Sequence, residues 1–175
     1  MIGFGLSNDE RRGDTEDFAP AFRIAREAGL LSVPHGGELL GPSHVREVVE
    51  HLRPDRLGHG VRAAEDPHLL EQVVGAGIGF ELCPASNASL GVLEHAEDVP
   101  LRRLIGAGAQ IALGADDPLL FGSRLLDQYE TARRIGLDDA ELADLAASSV
   151  RLSAAPEPVR SRLLAGVRDL SLIHI

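Results

Sequence analysis

The chain has 175 residues, of which 44% are apolar and 3% aromatic, and its formal net charge at pH 7 is −10. This length predicts one domain, and the apolar fraction is sufficient for a sizeable core. The negative charge argues against a nucleic acid or an anionic membrane as partner, because both bind basic surfaces. A small molecule is compatible with this charge.

The cysteine content and the hydropathy pattern predict a cytoplasmic protein. Cys83 is the single cysteine, which excludes an internal disulfide and fits a reducing compartment. No run approaches the roughly 20 consecutive apolar residues of a membrane span. The first residues lack the basic and apolar regions of a signal peptide. The sequence leaves the oligomeric state open.

Short apolar runs alternate with longer amphipathic runs along the chain. The short runs predict five strands, Ile2–Leu6, Leu30–Val33, Arg56–His59, Gly77–Leu82 and Gln110–Gly114. The longer runs predict helices at Asp17–Ala28, Ser43–His51, Pro67–Gly75, Pro100–Ala107, Ser123–Ile135, Asp138–Ser149 and Glu157–Val167. Ser43 and Asp138 are the expected N-caps of two of them. Strands that alternate with helices predict an α/β fold with a parallel sheet.

The two ends of the chain depart from this pattern. The first strand begins almost at the first residue, and residues 171–175 form an apolar segment without helical periodicity. We expect residues 1–170 to form the C-terminal part of one domain. Residues 171–175 are expected to be a non-native tail.

Polar side chains follow each of the five predicted strands. They lie in the segments Leu6–Glu10, Pro34–Glu38, Gly58–Gly60, Glu81–Asn87 and Gly114–Pro118. Ligands of parallel α/β folds bind at the carboxyl ends of the strands, so these side chains are expected along one edge of the sheet.

The residue types at these strand ends indicate a metal-dependent hydrolytic site. The imidazoles of His35 and His59 suit Zn²⁺, and Asp116 adds an oxygen ligand. Glu38 follows His35 across a Gly-Gly turn and can act as a general acid in the same cavity. Adjacent Asp116 and Asp117 point to opposite sides if the strand continues, which indicates different roles. Taken singly, a histidine at a strand end is more often structural, and Asp-Asp-Pro more often begins a helix. Their joint order favours a site.

Four of these segments resemble the adenosine deaminase family of zinc-dependent amidohydrolases. Pro34–Glu38 resembles the family's His-Ala-Gly-Glu motif, with Gly36 in place of alanine. Leu57–Gly60 matches its Ile-Gly-His-Gly motif. The remaining two, Glu81–Asn87 and Leu113–Pro118, resemble its Cys-Pro-x-Ser-Asn and Leu-Asn-Thr-Asp-Asp-Pro motifs.

The resemblance implies a role for each of five residues in the conversion of adenosine to inosine and ammonia. His35 would bind the zinc, and Asp116 would be a second ligand that also contacts the attacking hydroxide. His59 would orient this hydroxide and act as base. Glu38 would protonate the purine at N1 to make C6 electrophilic, and Asp117 would hydrogen-bond N7. The zinc would lower the pKa of its water toward neutrality.

The segment Gly3–Glu10 resembles the family's strand-end loop, whose backbone approaches the purine. Asn8 stands where the family often has glycine, and asparagine adopts the required φ more easily than most residues. The resemblance therefore implies a substrate contact at Asn8.

The resemblance covers only part of the family's fold. An eight-stranded barrel needs about 250 residues, whereas five strands are predicted here. The family's His-x-His pair, which binds the zinc, occurs nowhere in this sequence. We therefore expect a partial TIM (β/α)₈ barrel, about strands 4 to 8, with further ligands of its single zinc ion on an N-terminal part. The chain alone is expected to bind zinc poorly and to be inactive.

Several alternatives remain open at this point. The substrate could be another aminopurine: adenine, N6-methyl-AMP or 6-amino-6-deoxyfutalosine. The enzyme could instead be a lactone or phosphoester hydrolase, although such a reaction does not need the purine contacts of Glu38 and Asp117. An inactive structural remnant is the non-enzymatic alternative. Cys83 is interpreted as a core residue, and four histidines as surface or packing residues: His44, His51, His68 and His95.

Overall fold

The computed structural model describes residues 1–173, which divide into two compact units. The first comprises Met1–Leu82 and Arg102–Ala109, and the second comprises Cys83–Leu101 and the described residues from Gln110 onward. The strands are β1 (Gly3–Leu6), β2 (Leu31–Gly36), β3 (Arg56–His59), β4 (Gly79–Leu82) and β5 (Ile111–Leu113). The α-helices are α1 (Ala19–Glu27), α2 (Pro42–Glu47), α3 (Pro67–Gly75), α4 (Pro84–Ser89), α5 (Leu101–Gly106), α6 (Pro118–Phe121), α7 (Leu125–Arg134), α8 (Asp139–Leu152) and α9 (Glu157–Ile173).

The first unit is built on four parallel strands in the order β1-β2-β3-β4. Successive side chains of β2 alternate between buried and partly open positions, as expected for a strand with only one covered face. On the covered side, Leu57 and Phe80 are fully buried, and Leu57 lies close to Val48 of the π-helical turn Val48–Leu52. His35 belongs to the other, more open face. The sheet therefore offers one face to a core and the other to a cavity.

The second unit packs α8 against β5. Two bonds that reach across the sequence fix its arrangement: the Ile111 N–H donates to Ser148 Oγ at 2.9 Å, and the Ala85 N–H donates to Gln128 Oε1 at 3.1 Å. Asp138 caps α8 as expected, since its carboxylate accepts from the Glu141 N–H at 2.9 Å.

β2 is longer than predicted. The expected strand ended at Val33, just before Pro34. In the structure β2 continues to Gly36, because its pairing with β3 joins His35 to Gly58 and Gly36 to His59. His35 therefore lies within a strand and not in the turn after it.

The helices agree with the prediction in position, with three differences. α4 and α6 were not predicted, since four to six residues that begin at a proline are too short to show a helical period. The N-cap of α2 is Gly41, and the expected cap Ser43 lies inside the helix. α9 extends to Ile173, so residues 171–173 of the expected tail are helical, and residues 174–175 lie outside the described residues. The assignment of residues 1–170 to one barrel domain stays a prediction.

In the part of the chain that the structure describes, no helix is both long and apolar enough to cross a membrane.

Candidate active site

Two histidines meet where β2 and β3 end. The strand register pairs Gly36 with His59, so regular alternation would place the side chains of His59 and His35 on opposite faces. The φ of His59 is +61°, in the left-handed region, and this rotation about N–Cα carries its side chain to the face of His35. The two rings then meet edge to face, with their centroids 4.8 Å apart.

The carboxylate of Glu38 contacts both histidines. Its Oε2 lies 3.5 Å from Nδ1 of His35, and its Oε1 lies 3.3 Å from Nε2 of His59. The side chains of Glu38 and His59 are 8% and 2% exposed, whereas that of His35 is 29% exposed and reaches the cavity. One candidate ligand atom from each of the three residues lies within 4.8 Å of the others. Imidazole nitrogens and carboxylate oxygens are donors that zinc prefers, so this cluster can contribute a ligand to a zinc ion.

The glycines beside the histidines make room for them. A Cβ atom at Gly58 would lie 2.4 Å from Cδ2 of the His35 ring, so this ring rests directly on the backbone of β3. Gly60 has a φ of +71°, and a Cβ there would lie 2.6 Å from the ring of Phe80. In the sequence Gly-His-Gly, the first glycine thus allows close packing of a ring on the backbone. The second adopts a positive φ, which residues with a Cβ atom disfavour.

A cavity of about 330 Å³ opens beside this cluster, a size typical of small-molecule sites. The segment Leu6–Glu10, His35 and His44 belong to its wall. Asn8 lies in this wall and has a φ of +103°, and its contact with a substrate stays a prediction.

Asp116 and Asp117 belong to the second unit. β5 ends at Leu113, so the strand does not continue to these residues as the alternation argument required. Asp116 has a φ of +56°, and its Oδ2 accepts a hydrogen bond from the hydroxyl of buried Ser86 at 2.5 Å. Asp117 is the N-cap of α6 and accepts from the N–H groups of Leu119 and Leu120, both at 3.2 Å. Helix capping is therefore one role of Asp117.

Three polar residues near the predicted sites were not assigned a role from the sequence. Glu10 and His44 line the cavity, and Ser86 holds the carboxylate of Asp116. Glu10 ends the polar strand-end segment that also contains Asn8, and Ser86 lies in the segment that resembles the Cys-Pro-x-Ser-Asn motif. The sequence therefore contained a pattern that could have indicated both residues. His44, which was interpreted as a surface or packing residue, lies on α2 and not at a strand end.

A family model described as adenosine deaminase matches residues 1–170. The chain is 64% identical over 170 residues to a putative adenosine/adenine deaminase of Streptomyces coelicolor. The aligned region covers 97% of this chain and 50% of the relative. It is 40% identical to an adenine deaminase of Sinorhizobium fredii, over 95% of this chain and 52% of that one. The chain thus spans about half the length of the curated relatives it matches.

Solved structures share the fold. An adenine deaminase from Arthrobacter aurescens superposes with a TM-score of 0.91 at 30% identity, covering 97% of this chain and 52% of that one. An amidohydrolase from Burkholderia ambifaria with bound zinc superposes with a TM-score of 0.88 at 24% identity, covering 99% and 49%. This likeness confirms the predicted fold class, a partial (β/α)₈ barrel.

Proposed function

Since the chain belongs to the adenosine deaminase family, we propose that the full-length protein carrying it hydrolyses the amino group of a 6-aminopurine with one zinc ion, and that adenosine is the substrate. The observation that carries the proposal is the position of the Glu38 carboxylate, 3.3 and 3.5 Å from the rings of His59 and His35 at the wall of a cavity. This arrangement brings an acid, a base and a metal ligand to one place, as hydrolytic deamination requires.

Each of these three residues has one role in the proposed reaction. His35 holds the zinc, which when bound supplies an activated water. His59 orients the attacking water and accepts its proton, since its imidazole is buried and lies against the carboxylate of Glu38. Glu38 in its acid form donates a proton to purine N1, which makes C6 electrophilic. Attack of the water oxygen at C6 is followed by cleavage of the bond from C6 to the amino group, which leaves as ammonia with the proton that His59 took from the water. The hydroxyl proton that remains on C6 returns to Glu38, which leaves a carbonyl at C6.

Three further residues belong to the proposal through the sequence motifs. Asp116 is assigned as a second zinc ligand, and its hydrogen bond from Ser86 would orient the carboxylate. Asp117 is assigned to purine N7 in addition to its capping of α6. Asn8 is assigned to the substrate because it lies in the cavity wall.

A substrate panel tests the reaction class. Purified full-length protein is given adenosine, adenine, N6-methyl-AMP and 6-amino-6-deoxyfutalosine, and ammonia release is measured together with zinc content. We expect adenosine to give the highest kcat/KM. Adenine is the second candidate, because the solved relative with 30% identity is an adenine deaminase. Turnover of none of the four would contradict the reaction, and would favour a lactone or phosphoester hydrolase or an inactive remnant.

The variant Glu38→Gln tests the assigned acid. It keeps the size of the side chain but has no acidic proton to donate, so we expect deamination to fall about 10²- to 10⁴-fold while zinc content is unchanged. Activity within a few-fold of the unmodified protein would contradict the role of Glu38.

The chain alone is expected to bind zinc poorly and to be inactive, because catalytic zinc sites need three protein ligands and only His35 and Asp116 are assigned here. Zinc content and adenosine turnover of the purified 175-residue chain test this, and activity like that of the full-length protein would contradict it. We also place the reaction in the cytoplasm, as the single cysteine predicted.

A further inference from the structure

Glu10 is a buried carboxylate that the proposed reaction does not use. Its side chain is only 3% exposed. It accepts hydrogen bonds from three successive backbone N–H groups, those of Glu38 at 3.0 Å and of Leu39 and Leu40 at 2.8 Å. Successive N–H groups that converge in this way form an anion-binding concavity. Here the bound anion is a side chain of the same protein, from the segment that follows β1.

Arg62 donates hydrogen bonds to two carbonyl groups of the same loop. Its backbone N–H donates to the carbonyl of Gly37 at 3.2 Å, and its Nη1 donates to the carbonyl of Leu39 at 2.8 Å. Two hydrogen bonds from its guanidinium to Glu65, at 2.7 and 3.2 Å, fix the side chain of Arg62 and raise its pKa further. The loop 37–40 is therefore held by a carboxylate on its N–H groups, and by the backbone N–H and the guanidinium of Arg62 on its carbonyl groups.

The second oxygen of Glu10 also faces His44, whose Nδ1 lies 3.6 Å from Oε2. Both residues line the same cavity as Asn8 and His35. The segment Asn8–Glu10 thus forms part of the cavity wall with one end and holds the Glu38 loop with the other.

We propose that Glu10 is a positioning residue that fixes the backbone of Glu38, so that the carboxylate of Glu38 is presented to the cavity and to both histidines. An acid–base group is effective only when it is held within a fraction of an ångström of its productive position. A misplacement of about 1 Å can lower a rate about 10²-fold. Glu10 acts through Glu38, because it accepts a hydrogen bond from the backbone N–H of that residue.

The kinetic test rests on the proposed function and uses the full-length enzyme. Glu10→Ala removes all three acceptor contacts, and we expect kcat to fall about 10- to 100-fold with KM changed less than about threefold and zinc content unchanged. Glu10→Gln keeps one acceptor oxygen and is expected to lose less activity, which serves as the conservative variant if Glu10→Ala does not fold. Glu47→Ala, an exposed carboxylate on α2, is the matched control without effect.

A double-mutant cycle separates positioning from general stability. If Glu10 acts through Glu38, then Glu10→Ala has little further effect on the residual kcat of Glu38→Gln. Val48→Ala removes buried side-chain volume without touching this hydrogen-bond network, so it serves as a control for lost stability. We expect Val48→Ala to lower Tm about as much as Glu10→Ala does but to keep kcat within about twofold. The proposal is overturned if Glu10→Ala and Glu10→Gln both keep kcat within twofold, if their effects are equal in both backgrounds, or if Val48→Ala loses as much activity.

Amide hydrogen exchange gives a readout that does not depend on activity. Glu10→Ala should speed exchange of the Leu39 and Leu40 amides at least tenfold, whereas Glu47→Ala should not. If exchange is faster in Glu10→Ala but the unmodified protein turns over no aminopurine, the proposed function is rejected. The conclusion that Glu10 fixes the loop 37–40 would still stand. Unchanged exchange at these amides would overturn the inference even in an active deaminase.

Discussion

Replacing Gly58 by alanine is expected to displace His35 without straining the backbone. Gly58 lies in the middle of β3, and it is not among the residues with positive φ, so alanine can adopt its conformation. The added Cβ would lie 2.4 Å from Cδ2 and 3.0 Å from Nε2 of His35. Because the opposing atoms are those of the ring, the ring must move.

The displacement follows from the contact distance. Ordinary van der Waals contact begins at 3.4 Å, so Cδ2 has to retreat by about 1 Å from its present 2.4 Å. Metal–ligand distances are tolerated only within about 0.2 Å, and disturbed support of a ligand lowers metal affinity about 10- to 100-fold. A shift of about 1 Å also lowers the rate about 10²-fold, which corresponds to about 2.7 kcal/mol in activation free energy.

The assay compares three Gly→Ala variants of the full-length protein. Zinc content after dialysis, kcat/KM for the preferred aminopurine and Tm are measured for each. At Gly75 a Cβ would meet nothing within 4 Å, so Gly75→Ala is the neutral control. At Gly36 a Cβ would lie 3.2 Å from Leu57 and Val48 on the core side, so Gly36→Ala controls for loss of stability alone.

Zinc retention would refute the reasoning. If Gly58→Ala keeps its zinc and kcat/KM within about twofold of the unmodified protein, then zinc binding does not depend on the position of the His35 ring against Gly58. The same conclusion follows if Gly36→Ala, with a comparable fall in Tm, loses as much zinc as Gly58→Ala.

Three further outcomes are expected. His59→Asn should lower kcat about 10²- to 10⁴-fold with zinc retained, measured by single-turnover kinetics; an active variant would remove His59 from the base role. Asp138→Ala should lower the free energy of unfolding by about 1 kcal/mol through loss of the α8 cap, with kcat/KM unchanged; denaturant titration with no shift in midpoint would contradict this. Removal of metal by a chelator should abolish turnover and added zinc should restore it, whereas activity that survives complete metal removal would exclude the proposed zinc role.

Strand periodicity and residue chemistry were sufficient to predict that three polar side chains of the first unit lie close together. The prediction placed β3 at Arg56–His59, which is where the structure has it. His35, Glu38 and His59 were expected together, and the structure brings them together because the carboxyl ends of β2 and β3 adjoin. The rotation at His59 was not predictable, since a φ of +61° leaves no mark in the hydropathy pattern.

The contacts of Glu10 show what a sequence pattern does not contain. Its partners are backbone N–H groups 28 to 30 positions along the chain, and a backbone group has no residue identity to recognise. A lone glutamate near a strand end is usually solvated, and only the fold shows this one to be buried. The α6 helix was missed for a different reason: four residues carry too few side chains to show a period.

The left-handed backbone at Asn8, His59 and Asp116 limits how this protein could be redesigned. Asparagine, aspartate and histidine are the side-chain-bearing residues that enter this region most readily, so chemistry and backbone are selected together at these positions. Exchanging Asp116, the proposed second ligand, for cysteine or glutamate to favour a different metal would place a poorly suited residue at a positive φ. Repurposing such a site would therefore require rebuilding the turn as well as changing the donor atom.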